Sequence, residues 1–150
     1  MEQVCVGVDI GGTSIKLGIF TLNGTLLKKW ELETKPKNDP KTLIENIGRS
    51  IKEKLKEGGL TLTDCVGVGM GVPGPVLPNG YIEVVVNIGW KEVFPARILS
   101  DFLAGMPVAL GNDANVAALG EAWMGGAKHY QDVVMVTLGT GVGGGIIIDG

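Results

Sequence analysis

The chain has 150 residues, enough for one domain or for one domain with part of another. Hydrophobic residues make up 45% and charged residues 19%, so there is ample apolar surface to bury and disorder is argued against. Thirteen Lys and Arg against 16 Asp and Glu leave a net charge of −3, with no basic field to hold a nucleic-acid backbone.

Met1-Glu2-Gln3-Val4 lacks the basic segment and apolar run of a secretory signal, and no apolar run approaches the roughly 20 residues of a membrane helix. Gln3–Ile10 (QVCVGVDI) reads as a Val-rich strand stopped by Gly11-Gly12. Ser14–Thr21 reads as a second strand. The pair Asn23-Gly24 then marks a hairpin, because both residue types tolerate positive φ, and Thr25–Glu33 returns antiparallel. Asp39-Pro40 is a helix start, Asp as N-cap and Pro at the first helical position. Leu43, Ile44, Ile47, Ile51 and Leu55 follow at helical spacing up to Gly58-Gly59. Cys65–Val72 (CVGVGMGV) lacks clean alternation and is expected to be a central strand covered on both sides.

A Pro/Gly-rich loop, 73–80, leads into a short apolar stretch ending at Trp90. Phe94–Ala104 is expected to be helical, Pro107–Leu110 a short strand, and Asp113–Ala127 a helix rich in small residues that permits close packing. Asp132–Leu138 and Val142–Asp149 read as strands flanking the turn Gly139-Thr140-Gly141. A hairpin alone is marginally stable, so this last one calls for further elements to pack on. Cys5 and Cys65 show no CxxC spacing and read as buried free thiols, which predicts a cytoplasmic protein.

Glycine is the compositional outlier, 25 of 150 residues against a usual share of about 7%. There is no G-X-Y period, and the glycines sit beside strand-like runs, where they suit turns pressed against a ligand. In Asp9-Ile10-Gly11-Gly12-Thr13 the glycine pair presents backbone N–H groups with no Cβ in the way, so an oxyanion such as phosphate can approach. Asp9 would point a carboxylate into the same space, where Mg²⁺ bridges to phosphate oxygens; Thr13 adds a hydroxyl donor and Lys16 a positive charge. The alternative is a plain hairpin with an incidental Asp. It is not a P-loop, because the GxxxxGK[ST] spacing is absent and a strand follows. Leu138-Gly139-Thr140-Gly141-Val142 repeats the design, and two such loops suggest a nucleotide phosphate held from opposite sides. Its GxGxG string does not signal a dinucleotide fold, which needs a helix after the turn. Gly111-Asn112-Asp113-Ala114-Asn115 precedes a helix and suits an N-cap, yet it carries more polar groups than one cap requires. A carboxylate beside amides suits binding and deprotonating a hydroxyl.

These segments, together with GVGMGVPGPV, Asn87-Ile88-Gly89-Trp90 and PVALGNDANVAALGE, resemble the ROK family of bacterial sugar kinases and repressors over essentially the whole chain, and within it the glucokinase branch. The resemblance implies an α/β fold of the actin-like ATPase or ribonuclease H-like kind, a mixed sheet with helices on both faces. It implies a small lobe over residues 1–118 and the start of a second lobe over 119–150. Under it, Asp113 is the base on the sugar hydroxyl; Gly74, Asn87 and Asn112 contact the sugar; Gly11, Gly12, Thr13, Lys16, Gly139, Thr140 and Gly141 hold the ATP phosphates; and Asp9 acts through Mg²⁺. The implied reaction moves the γ-phosphate of ATP to a hexose 6-hydroxyl, with glucose first and fructose or N-acetylmannosamine as alternatives.

The family's Glu-x-Gly-His segment and zinc-binding cysteines have no counterpart here, so zinc is expected only in a longer parent protein and this chain is expected to be an inactive fragment. His129 follows a helix in a polar stretch and reads as a surface residue. The expected partners are a sugar, ATP and, in the full-length protein, further copies of itself, with no nucleic acid or membrane. A repressor would carry a DNA-binding helix-turn-helix before the first glycine loop, and only eight residues precede Asp9. A chaperone or cytoskeletal ATPase with the same core would not explain the amides flanking Asp113.

Overall fold

The computed structural model of the protein describes residues 3–34, 39–139 and 141–150. The first three strands, β1 (Val4–Ile10), β2 (Ser14–Thr21) and β3 (Leu26–Glu33), form an antiparallel meander. Of the Asn23-Gly24 pair only Gly24 takes positive φ (90°), and its N–H donates to the Thr21 carbonyl (3.0 Å) to close the bend. Helix α1 (Pro40–Glu57) starts as expected, the Asp39 carboxylate accepting from the Thr42 N–H at 3.1 Å. It ends at Gly58, and Gly59 turns the chain at φ 73°.

Strand β4 (Cys65–Val72) then pairs parallel to β1, and β7 (Val108–Asn112) pairs parallel to β4, completing a five-stranded mixed sheet of order β3-β2-β1-β4-β7. Between them lie a small hairpin of β5 (Ile82–Val85) and β6 (Trp90–Val93), then helix α2 (Pro95–Phe102). The sequence shows this hairpin only as a short apolar stretch. Helix α2 stops short of the expected Ala104, because Ala104 (φ 59°) and Gly105 (φ 84°) leave the helical region.

One face of the sheet carries the core. Val4, Val6, Val8 and Ile10 alternate on β1 and Ile15, Leu17 and Ile19 on β2, buried with Leu43, Ile44, Ile47, Ile51 and Leu55 of α1. Gly48 lets α1 and α2 close up, since a Cβ there would strike the Phe102 ring. Strand β4 is central, but it is covered on both sides only toward its end at Met70-Gly71-Val72; Val66 and Gly69 are exposed. Its unalternating pattern comes from glycines, not from two apolar faces.

Helix α3 (Asp113–Met124) lies over the other face, where its Val116 approaches Gly71 and Gly111. Helices therefore cover both faces of the sheet. The helix ends at Met124 and not at the expected Ala127, where the Glu121 carboxylate accepts from the Gly126 N–H (2.8 Å). Strands β8 (Val133–Leu138) and β9 (Val142–Ile147) form a separate hairpin. It packs on α3 through Gly143 and Gly145 of β9 against Ala114 and Ala118, which accounts for the small residues in that helix. No helix among the described residues is long and apolar enough to cross a membrane.

Candidate functional site

Sheet register sets the site. Glu31, Lys16, Asp9, Gly71 and Gly111 are successive partners across the five strands, on the face opposite the core. Asp9 thus lies beside Lys16 on one side and Gly71 on the other. A Cβ built on Gly71 would stand 3.5 Å from the Cα of Asp113, 3.8 Å from Oδ1 of Asp9 and 2.9 Å from Cγ2 of Val116. The missing side chain at Gly71 is what allows the two carboxyl-bearing residues to converge. Gly71 lies within GVGMGVPGPV without any expected role, although the repeated Gly-x-Gly of β4 marks a strand that leaves room above itself.

Asp9 is exposed on the open face of the sheet, yet its carboxyl is partly withdrawn from water. Loss of water around the carboxylate raises its pKa above the ordinary value, the neighbouring Asp113 charge raises it further, and Lys16 pulls it back. Asp113 is the first residue of α3, and its Oδ1 accepts from the Ala114 N–H at 2.8 Å. Its Oδ2 makes no hydrogen bond among the described residues. Asn112 is the N-cap: its Oδ1 accepts from the Ala114 and Asn115 N–H groups (3.1 and 3.3 Å) while its Nδ2 donates to the Gly74 carbonyl at 3.1 Å. The second amide hydrogen of Asn112 makes no bond among the described residues, and the Pro-Gly loop is tied to the helix start.

The β1–β2 turn is closed by the Gly11 N–H donating to the Ser14 carbonyl (2.9 Å). A Cβ on Gly11 would lie 2.7 Å from that same carbonyl oxygen, so close approach, not a positive φ, is what requires glycine here. A Cβ on Gly12 would meet only the Asn87 carbonyl, at 3.8 Å, which places the Val86–Ile88 turn beside the glycine pair.

Asp9, Gly11, Gly12, Lys16, Gly74, Asn87, Asn112, Asp113, Gly139 and Gly141 all line one open crevice. Thr13 is exposed within the first turn. Thr140 lies outside the described residues.

The donors in this crevice fit a magnesium ion shared with a phosphate. Asp9 offers one carboxylate beside free N–H groups, and Mg²⁺ is usually held by one or two carboxylates with substrate phosphates. Among the described residues no three His, Cys, Asp or Glu side chains gather to hold a metal. Cys5 is half-buried, Cys65 is buried and His129 is exposed, and no group of three such ligands forms around them among the described residues. These residues do not fit zinc.

Comparison with known proteins gives a consistent result. The sequence model of the ROK family matches residues 5–150. A glucokinase of Halalkalibacterium halodurans is 39% identical over 97% of this chain and 44% of its own length. A putative xylose repressor of a Caldicellulosiruptor species is 31% identical over 95% of this chain and 36% of its own. A crystal structure of a ROK family glucokinase from Streptomyces griseus, in complex with glucose and AMPPNP, superposes with a TM-score of 0.79 at 34% identity, over 97% of this chain and 45% of that one. The chain therefore spans less than half the length of these relatives.

Proposed function

The chain belongs to the ROK family, with the actin-like ATPase fold of its sugar kinases, and on that premise we propose that it supplies the phosphate-binding and proton-accepting part of an ATP-dependent glucokinase. The observation that carries this reading is the convergence of Asp9 and Asp113 across Gly71, in the crevice that both glycine turns line.

In the proposed reaction, the Gly12 and Thr13 N–H groups of the turn that Gly11 closes, Lys16 and the Gly139–Gly141 turn hold the ATP phosphates. Asp9 is the residue that would hold Mg²⁺, which when bound neutralises phosphate charge. Asn112, Asn87 and the Gly74 loop orient the hexose. The 6-hydroxyl oxygen attacks the γ-phosphorus, the bond from that phosphorus to the β,γ-bridging oxygen breaks, and ADP leaves with that electron pair. The hydroxyl proton passes to Oδ2 of Asp113, late, once the oxygen is bonded to phosphorus and its acidity has risen. Positioning and charge supply most of the acceleration in such transfers, and a base contributes a factor of ~10²–10⁴.

Residues 1–118 are assigned to a small lobe and 119–150 to the opening of a second. The full-length protein is assigned to the cytoplasm as a homo-oligomer without nucleic-acid partners. Zinc, where present, would be held by residues outside this chain.

The test is a coupled assay on the natural-length protein with ATP, Mg²⁺ and a panel of hexoses. ADP and glucose 6-phosphate are the expected products. Turnover with fructose or N-acetylmannosamine in place of glucose would move the substrate, and no turnover with any hexose would end the kinase reading.

A further inference from the structure

We propose that Thr34 is a positioning residue that turns the Gly11–Thr13 bend into an anion-binding surface, an inference that rests on the phosphate-binding reading above. Thr34 lies just beyond β3, 20 or more residues from the bend, and is only 4% exposed. Its hydroxyl donates to the Gly11 carbonyl at 2.8 Å, and its backbone N–H donates to the Thr13 carbonyl at 3.0 Å.

Two of the three carbonyls in the bend are therefore held by one residue. The Gly11 N–H is also committed, to the Ser14 carbonyl. The Gly12 and Thr13 N–H groups make no hydrogen bond among the described residues. A bend with free carbonyls would offer lone pairs that repel a phosphate oxygen. By fixing the Gly11 and Thr13 carbonyls, Thr34 leaves the Gly12 and Thr13 N–H donors outnumbering the one remaining carbonyl of the bend, that of Gly12. The anchor also spares rearrangement when the anion arrives, since the peptide planes are already set.

Register explains why this residue can reach. Ser14 pairs with Glu33, so the chain leaving β3 passes directly beneath the bend. Thr34 contributes both a hydroxyl and a main-chain donor there. Thr34→Val keeps the shape and the main-chain bond, removes the hydroxyl, and leaves the Gly11 carbonyl without that partner. Thr34→Ser keeps the hydroxyl.

In the natural-length protein Thr34→Val is expected to raise the KM for ATP about tenfold, the loss of roughly one oriented hydrogen bond. The KM for glucose should stay within about twofold, and Thr34→Ser should restore the ATP value. A parallel rise in both KM values, no change in either, or failure of Ser to restore would overturn the assignment. Hydrogen exchange of the peptide over residues 8–17 reads the same anchor without activity: faster in Thr34→Val, restored in Thr34→Ser, and unchanged over α1. Unaltered exchange in the Val variant would likewise overturn it. Absence of turnover in the unmutated protein counts against the kinase reading, and the exchange result then decides Thr34 by itself.

Discussion

The two glycine bends share a local sequence design and differ in what holds them. Gly11-Gly12-Thr13 joins two strands inside a five-stranded sheet, and Ser14 and Thr34 tie its backbone from two sides. Gly139–Gly141 tips a two-stranded hairpin whose outer face, with Val134, Val136, Leu138, Val142 and Ile146, is exposed, Leu138 at 82%. Its described tie is local, the Gly139 N–H donating to the Gly141 carbonyl at 2.9 Å. The first bend is thus tied by neighbouring strands of a sheet, while the hairpin that carries the second packs on α3. On the proposed reading, the Gly11–Thr13 bend owes its readiness for an anion to the contacts around it, from Ser14 and Thr34, as well as to its glycines.

Substitutions sharpen that contrast, beginning with the hairpin's seat on α3. A Cβ on Gly145 would lie 2.6 Å from the Ala114 carbonyl oxygen and 2.7 Å from the Ala118 Cβ, atoms with little freedom to move. Gly145→Val is expected to detach the hairpin from α3, costing about 3 kcal/mol in urea unfolding and speeding exchange over β8 and β9. Gly11→Ala meets a backbone oxygen at 2.7 Å and should cost ~1–2 kcal/mol. Gly139→Ala has nothing within 4 Å of the new Cβ and no positive φ to oppose it, so its cost should stay within about 0.5 kcal/mol. Equal costs at positions 11 and 139 would break the comparison.

The smallest effect concerns Asp9 and runs with pH. Its carboxyl is raised above the ordinary value of 3.8 in the folded chain, so just above that pH the folded state keeps a proton that the unfolded state has lost. The wild-type chain therefore loses stability as pH rises through that window. Asp9→Asn removes the charge, and its melting temperature should exceed the wild-type value by an amount that grows from pH 3 and levels off toward neutrality. A difference independent of pH would contradict the upward shift of the Asp9 carboxyl by partial loss of water and by the Asp113 charge.

Much of this was legible in sequence where short-range chemistry decides. Asp39-Pro40 fixed the start of α1, and Gly58-Gly59 its end. The strand bounds of β4 and the strand-turn-strand character of both glycine bends also follow from local residues. What escaped depends on register. Gly71 matters because parallel pairing sets it beside Asp9 and below Asp113. Thr34 matters because Ser14 pairs with Glu33, a relation that no spacing along the chain displays. The β5–β6 hairpin was missed because each strand has four residues and too few alternations to show a period. The extra polar groups at Asn112–Asn115 proved partly structural, since Asn112 caps α3 and holds Gly74 at once.

The most direct test of the proposed chemistry is Asp113→Asn in the natural-length protein, assayed with ATP and glucose. The substitution keeps the size and removes the charge that would take the proton. A fall in kcat of ~10²–10⁴ with both KM values nearly unchanged is predicted. Turnover at the wild-type rate would show that Asp113 is not the base.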